Sequence, residues 1–144
     1  MSASKRGLEL SIVQVKGDLV LAGAAIKAAE KAEKHLSKAM KGQAAYHLQQ
    51  AAEKLIKIQL YASGKKLDNA KLYKHSLKDL LKYAQSISVQ IFLPAYINKN
   101  NEIITRWEAQ GRYDLHLSVR MDTLKKCYQE ISDWYDAMRR NGYN

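Results

Sequence analysis

The stretch GRYDLHL, residues 111–117, sets Arg112 and His116 four positions apart with a tyrosine and an aspartate between them. Such a pair can cleave a phosphodiester without a metal, the guanidinium stabilising charge on the phosphate while the imidazole moves a proton. The other use of the stretch is a turn, in which Tyr113 buries its ring and Arg112 and Asp114 anchor the backbone by hydrogen bonds. A second constellation lies in AYHLQQAAEKLIK, residues 45–57, which holds His47, Gln49, Gln50 and Glu53 within two turns. His47 with Gln50, and Gln49 with Glu53, are spaced to meet on a helix surface. Two glutamines, a histidine and a carboxylate are not a standard metal set, so a hydrogen-bonded contact between helices is their expected use. Third, Lys27, Lys31, Lys34, Lys38 and Lys41 step by four, three, four and three, which on one helix lines five ammonium groups along one face. That stripe is either a solvated face, partly neutralised by Glu30 and Glu33, or a surface that follows phosphates.

The elements that must position these residues are read from apolar periodicity. Asp18 is placed as the N-cap of a first long helix in which Leu19, Ala22, Ile26, Ala29, Leu36 and Ala39 form a seam ending near Gly42. Ala44, Leu48, Ala51, Leu55, Ile58 and Ala62 make a second seam that Gly64 closes. Ser76 and Asp79 open a third helix with a capping box, and Leu77, Leu80, Leu81, Ala84, Ile87 and Ile91 are its face. Pro94 is expected to kink or end that helix near Phe92. Lys71, Lys74, Lys78 and Lys82 mimic a second lysine stripe, but the cap at Ser76 puts the first two outside the helix. Ile103, Ile104 and Trp107 suit a short helix. Ser118 is placed as cap of a last helix with Met121, Leu124, Tyr128, Ile131, Tyr135 and Met138 on its seam, Cys127 and Trp134 beside it. The expected fold is all-α, an antiparallel up-and-down bundle of four long helices plus a short extra one. The domain is read as residues 17–140, with 1–16 a tail or short element and 141–144 a frayed tail.

Twenty-four Lys and Arg against fourteen Asp and Glu give a net charge of +10, which favours polyanionic partners at long range. The excess is +7 over residues 1–72 and +3 over 73–144, so the basic surface is assigned to the N-terminal helices. A single cysteine, Cys127, excludes an intrachain disulfide and a Cys-rich zinc site, and reads as a small buried hydrophobe. No signal peptide is visible, and the longest uncharged apolar run, LVLAGAAI, is less than half a membrane span. The chain is read as soluble and cytoplasmic, with no cofactor and no metal.

AAYHLQQAAEKLIKIQL resembles the signature second helix of the HEPN family, carrying His47, Gln49, Gln50, Glu53 and Lys54 in order. YKHSLKDLLKYA resembles the segment that opens the family's next helix, with His75 and Leu77 in place, and GRYD resembles its Arg-Tyr element, here Arg112 and Tyr113. The resemblance implies a helical bundle, usually a homodimer, in prokaryotic proteins tied to nucleotide or RNA transactions. Many members pair with a separate minimal nucleotidyltransferase. Others resemble metal-independent ribonuclease toxins of toxin–antitoxin systems, in which Arg and His are separated by four to six residues and face each other across the dimer. Arg112 and His116 have three residues between them, one short of that pattern, and Arg106 is too far from His116. The ranking that follows is a non-catalytic HEPN-like module binding a nucleotidyltransferase, a nucleotide or an RNA-related ligand; then a toxin-like endoribonuclease using Arg112 and His116; then a structural homodimer.

Overall fold

The computed structural model describes residues 3–113 and 119–143, with side chains described over 12–108 and 119–143. Seven helices form among the described residues: α1 (Ala3–Lys31), α2 (Lys34–Ala62), α3 (Asn69–Leu72), α4 (Leu77–Ser86), α5 (Ala95–Lys99), α6 (Asn101–Tyr113) and α7 (Met121–Arg140). No strand occurs among the described residues, and the fold is an all-α helical bundle as the periodicity implied.

α1 and α2 are 29 residues each, about 43 Å of helix apiece, and fold back on one another as a long antiparallel hairpin. Ser37 Oγ donates to Ala29 O near the turn, while Asp18 meets His47 far from it, the pairing expected of opposed directions. α2 is the central element. Ala44, Leu48, Ala51, Ala52, Leu55, Ile56, Ile58 and Leu60 are all inaccessible, because α1, α6, α7 and α4 all pack on it. Apolar positions on more than one side of its later turns require such enclosure, and the polar side chains among them must find partners. The alanines let neighbouring helices approach closely, while Trp107, Trp134, Leu77, Ile97 and Ile131 fill the remaining core.

Several boundaries differ from those read in the sequence. The first helix does not begin at Asp18: residues 3–16 are already helical, so Asp18 lies in the middle of α1. It does not continue to Gly42 either, since the chain reverses at Ala32 and Glu33. Glu33 takes the N-cap position of α2, its carboxylate accepting from the Leu36 N–H at 2.7 Å and the His35 N–H at 3.2 Å. Leu36, assigned to the first seam, is consequently exposed on the opening turn of α2, as are Ala39 and His35. Gly64 does close α2, at a φ of 74°.

α4 opens as expected, Ser76 Oγ accepting from the Asp79 N–H at 3.2 Å. It stops at Ser86, well before Pro94, which instead takes the N-cap position of α5. The stop is a Schellman motif: Val89 N–H donates to Ala84 O at 2.8 Å and Ser88 N–H to Gln85 O at 3.1 Å, with Ser88 at a φ of 60°. The end of α7 is built the same way, Tyr143 N–H to Met138 O and Gly142 N–H to Arg139 O, with Gly142 at a φ of 99°. Tyr143 thereby packs against the core, so the four-residue tail is anchored up to that point. Because a side chain in the left-handed region is strained, Ser88→Gly is expected to stabilise the protein by about 0.5–1 kcal/mol in urea denaturation. Loss of stability instead would show that the serine side chain contributes more than the strain costs.

Beyond α4 the chain runs extended along the end of α2, held by the buried amide of Gln59. Its Oε1 accepts from the Phe92 N–H at 2.7 Å and its Nε2 donates to Phe92 O at 2.9 Å. This one side chain satisfies both backbone groups of Phe92 as a neighbouring strand would.

Candidate functional site

Two polar networks lie on α2, and both are built from the second-helix segment. In the first, Asp18 of α1, 8% exposed, receives two partners from α2. His47 Nδ1 lies 2.9 Å from Oδ1, and Lys54 Nζ lies 2.5 Å from Oδ2. His47 and Lys54 are about two turns apart, so one carboxylate ties two points of α2 to the middle of α1. The Tyr46 ring packs edge-on against the His47 imidazole, with centroids 5.1 Å apart.

The second network centres on Glu53, 4% exposed. Its Oε1 accepts from Gln49 Nε2 at 3.1 Å and faces His75 Nδ1 at 2.9 Å, while Oε2 meets Lys57 Nζ at 2.9 Å. Gln49 also donates to the His75 backbone carbonyl at 3.0 Å, and Gln50 donates to Gln49 Oε1 at 2.7 Å. Leu77, two residues after His75, is fully buried, and its N–H donates to Thr105 Oγ1 at 3.0 Å. The segment preceding α4 is thus docked onto α2 by polar groups and secured by an apolar one.

The structure therefore brings together His47 and Lys54 at the Asp18 carboxylate, and Gln49 and His75 at that of Glu53, with Gln50 joined to it through Gln49. Gln49 and Glu53 meet as their spacing implied. His47 and Gln50 do not, since each turns to a different partner. Sequence reading missed Asp18, taken for a cap, and Lys57. The signal for Asp18 was present: Val15, Asp18, Ala22, Ala25 and Ala29 step by three and four, and all five are buried. A carboxylate inside such a stripe requires a cationic or donor partner on the facing helix. Among the described residues, no three His, Cys, Asp or Glu side chains come together as a metal site needs. Nor, among them, is any helix long and apolar enough to cross a membrane.

The five lysines do not share one helix. Lys27 and Lys31 end α1, whereas Lys34, Lys38 and Lys41 begin α2, so the stripe becomes a cluster around the tip of the hairpin. Lys27, Lys31, Lys34 and Lys38 are exposed and Lys41 is half-buried. Neither carboxylate expected to neutralise them does so. Glu33 is turned into the start of α2, and Glu30 pairs at 2.9 Å with Lys125 of α7. Among the described residues none of the five has an ion-pair partner.

Arg112 and Tyr113 belong to the last turn of α6, so the GRY portion of GRYDLHL is helix and not the expected turn. Ile104 and Trp107 bury one face of α6. His116 and Ser118 lie outside the described residues, as do the side chains of Arg112 and Tyr113. The N-cap position of α7 falls to Arg120, which makes no side-chain cap bond.

Compared with protein families, with characterised proteins and with solved structures, the chain matches none.

Cys127 is fully buried in α7, as its type suggested. Burial pushes its thiol up to about 11, and burial likewise raises the neighbouring Tyr96 hydroxyl to about 12. The stability that the Cys127 shift contributes is intact below pH 9 and lost as pH rises through about 11, and that of Tyr96 is intact below pH 10 and lost through about 12. At pH 8 the folded thiol is expected to react with iodoacetamide at least about 100-fold more slowly than the urea-unfolded thiol. Equal rates would place the sulfur at the surface.

Proposed function

We propose that this chain is a non-catalytic, HEPN-like helical module that binds a phosphate-bearing ligand, a nucleotide or RNA, or a partner nucleotidyltransferase, through the basic tip of the α1–α2 hairpin. The observation that carries this reading is the cluster of five lysines whose neighbouring carboxylates are engaged elsewhere. Unpaired ammonium groups in one place repel one another, and an anionic ligand relieves that repulsion while releasing its own counterions. The second-helix residues have a supporting part. His47, Lys54, Gln49 and Glu53 hold α1 and the segment before α4 against α2, which fixes the hairpin that carries the lysines.

Binding of a fluorescent oligoribonucleotide across a salt series tests the proposal. The parent protein is expected to bind with a steep salt dependence. Lys31→Ala with Lys34→Ala should weaken binding about tenfold at low salt and flatten the slope of log K against log salt by about 0.7 per lysine removed. Co-purification addresses the nucleotidyltransferase. Absence of RNA binding at low salt, together with absence of a co-purifying partner, would sink the reading.

A further inference from the structure

The hairpin tip opens on one side into a groove between α1 and α7 with a volume of about 510 Å³, within the range of small-molecule sites, about 300–1,000 Å³. We propose that this groove seats the heterocycle of a nucleotide whose phosphate lies toward Lys27 and Lys31. The proposal rests on the phosphate-binding reading above and names where the rest of the ligand goes.

The floor of the groove is apolar and shallow because the residues on that face of α1 are small or short. Val20 is 58% exposed there and Ala24 is exposed beside it. Gly23 sits between them, and a Cβ at this position would come within 3.0 Å of Tyr128 Oη and 3.3 Å of its ring. Absence of that Cβ is what lets Tyr128 of α7 lie against α1. Two polar groups overlook the floor from α7. The Tyr128 hydroxyl has no hydrogen-bond partner among the described residues, and Gln129 uses its Nε2 on Asp133 at 2.9 Å, which leaves its carbonyl to accept. One hydroxyl and one amide carbonyl above an apolar surface suit the edge of a flat heterocycle carrying ring nitrogens and an exocyclic amine.

Charge selects the rest of the ligand. Val20, Ala24, Lys27 and Lys31 step by four, three and four, so the apolar floor continues along the same face of α1 to two unpaired ammonium groups. The carboxylate lining the groove, Glu30, is paired with Lys125 across it. The groove is therefore apolar along one stretch and cationic at its end, complementary to a base joined to phosphate. That chemistry is shared by a free mononucleotide and by one residue of a single-stranded RNA.

Isothermal titration of the full chain with AMP, UMP, a pentaribonucleotide and inorganic pyrophosphate tests the inference. At least one of the base-bearing ligands is expected to bind tenfold or more tighter than pyrophosphate. Preference for a mononucleotide identifies the free form as the source, and preference for the pentaribonucleotide identifies RNA. Ala24→Leu fills the groove from an exposed position, so its melting temperature should match the parent. It is expected to weaken the base-bearing ligand at least tenfold and to leave pyrophosphate binding unchanged. Equal affinity of pyrophosphate and all nucleotides, or nucleotide binding indifferent to Ala24→Leu, overturns the groove. If RNA binding depends on Lys31 and Lys34 but not on Ala24, the groove falls and the basic tip stands. Dependence on Ala24 without dependence on those lysines keeps the heterocycle in the groove but overturns the phosphate's placement toward Lys31 and, with it, the basic tip.

Discussion

Replacing Glu53 by alanine is expected to lower the unfolding free energy by about 3 kcal/mol, the largest effect of any single polar substitution in this protein. The carboxylate is 4% exposed and engages three side chains, Gln49, His75 and Lys57. Its loss leaves the fully buried amide of Gln49 without its partner on that side and leaves Lys57, with a side chain 17% exposed, facing an uncompensated site. His75 contributes less, because its side chain is 53% exposed and water can replace what it loses. In a chain of this size the change corresponds to a fall in melting temperature of about 10 °C. Glu53→Gln retains shape and an acceptor for Gln49 but removes the charge facing Lys57, and should lie about midway. Urea denaturation of both variants measures this, and a loss below about 1 kcal/mol for Glu53→Ala would mean that the network is incidental to the fold.

Asp18→Ala should cost about 2 kcal/mol, less than Glu53→Ala because both of its partners, His47 and Lys54 at 19% and 20% exposed, regain part of their hydration, whereas Glu53 also serves the fully buried amide of Gln49. The more telling comparison is with wholesale replacement. Removing one member strands the others, whereas converting Asp18 and His47 to leucine and Lys54 to methionine exchanges the network for apolar packing and is expected to return stability to within about 1 kcal/mol of the parent. A double-mutant cycle between Asp18→Ala and His47→Ala should show a coupling of at least about 0.5 kcal/mol. Zero coupling would mean that the 2.9 Å approach contributes nothing to the folded state. If the triple variant is stable yet binds oligoribonucleotide less well, the network's use is to set the register of α1 on α2, and with it the arrangement of the lysine tip.

Much of the fold was legible in the residues. Ala44, Leu48, Ala51, Leu55 and Ile58 on α2 and Leu124, Ile131, Tyr135 and Met138 on α7 recur at helical spacing, and all are buried. Gly64 and Gly142 mark helix ends because glycine meets no steric penalty at the positive φ those ends require. The equivalent end of α4 was illegible because a serine, Ser88, occupies the left-handed position, and Pro94 drew attention to the wrong place. The reversal at Ala32 and Glu33 carries neither glycine nor proline, and the lysines keep helical spacing straight through it, so no local cue distinguishes two helices from one.

For the candidate site the division is similar. Composition and spacing by themselves determined an all-α chain, a polar group of His47, Gln49, Gln50 and Glu53 on the second helix, and a concentration of lysine near residues 27–41. Only the tertiary structure decided that the lysines gather at a hairpin tip, that Glu30 and Glu33 are committed elsewhere, and that Asp18 is a mid-helix anchor for His47 and Lys54. The physical reason is that periodicity records which face of a helix is buried, whereas the point at which a chain folds back is set by what the two faces gain from each other. Here the apolar stripe of α1, together with the one carboxylate inside it, finds its complement only on α2, and the turn falls where that pairing requires it.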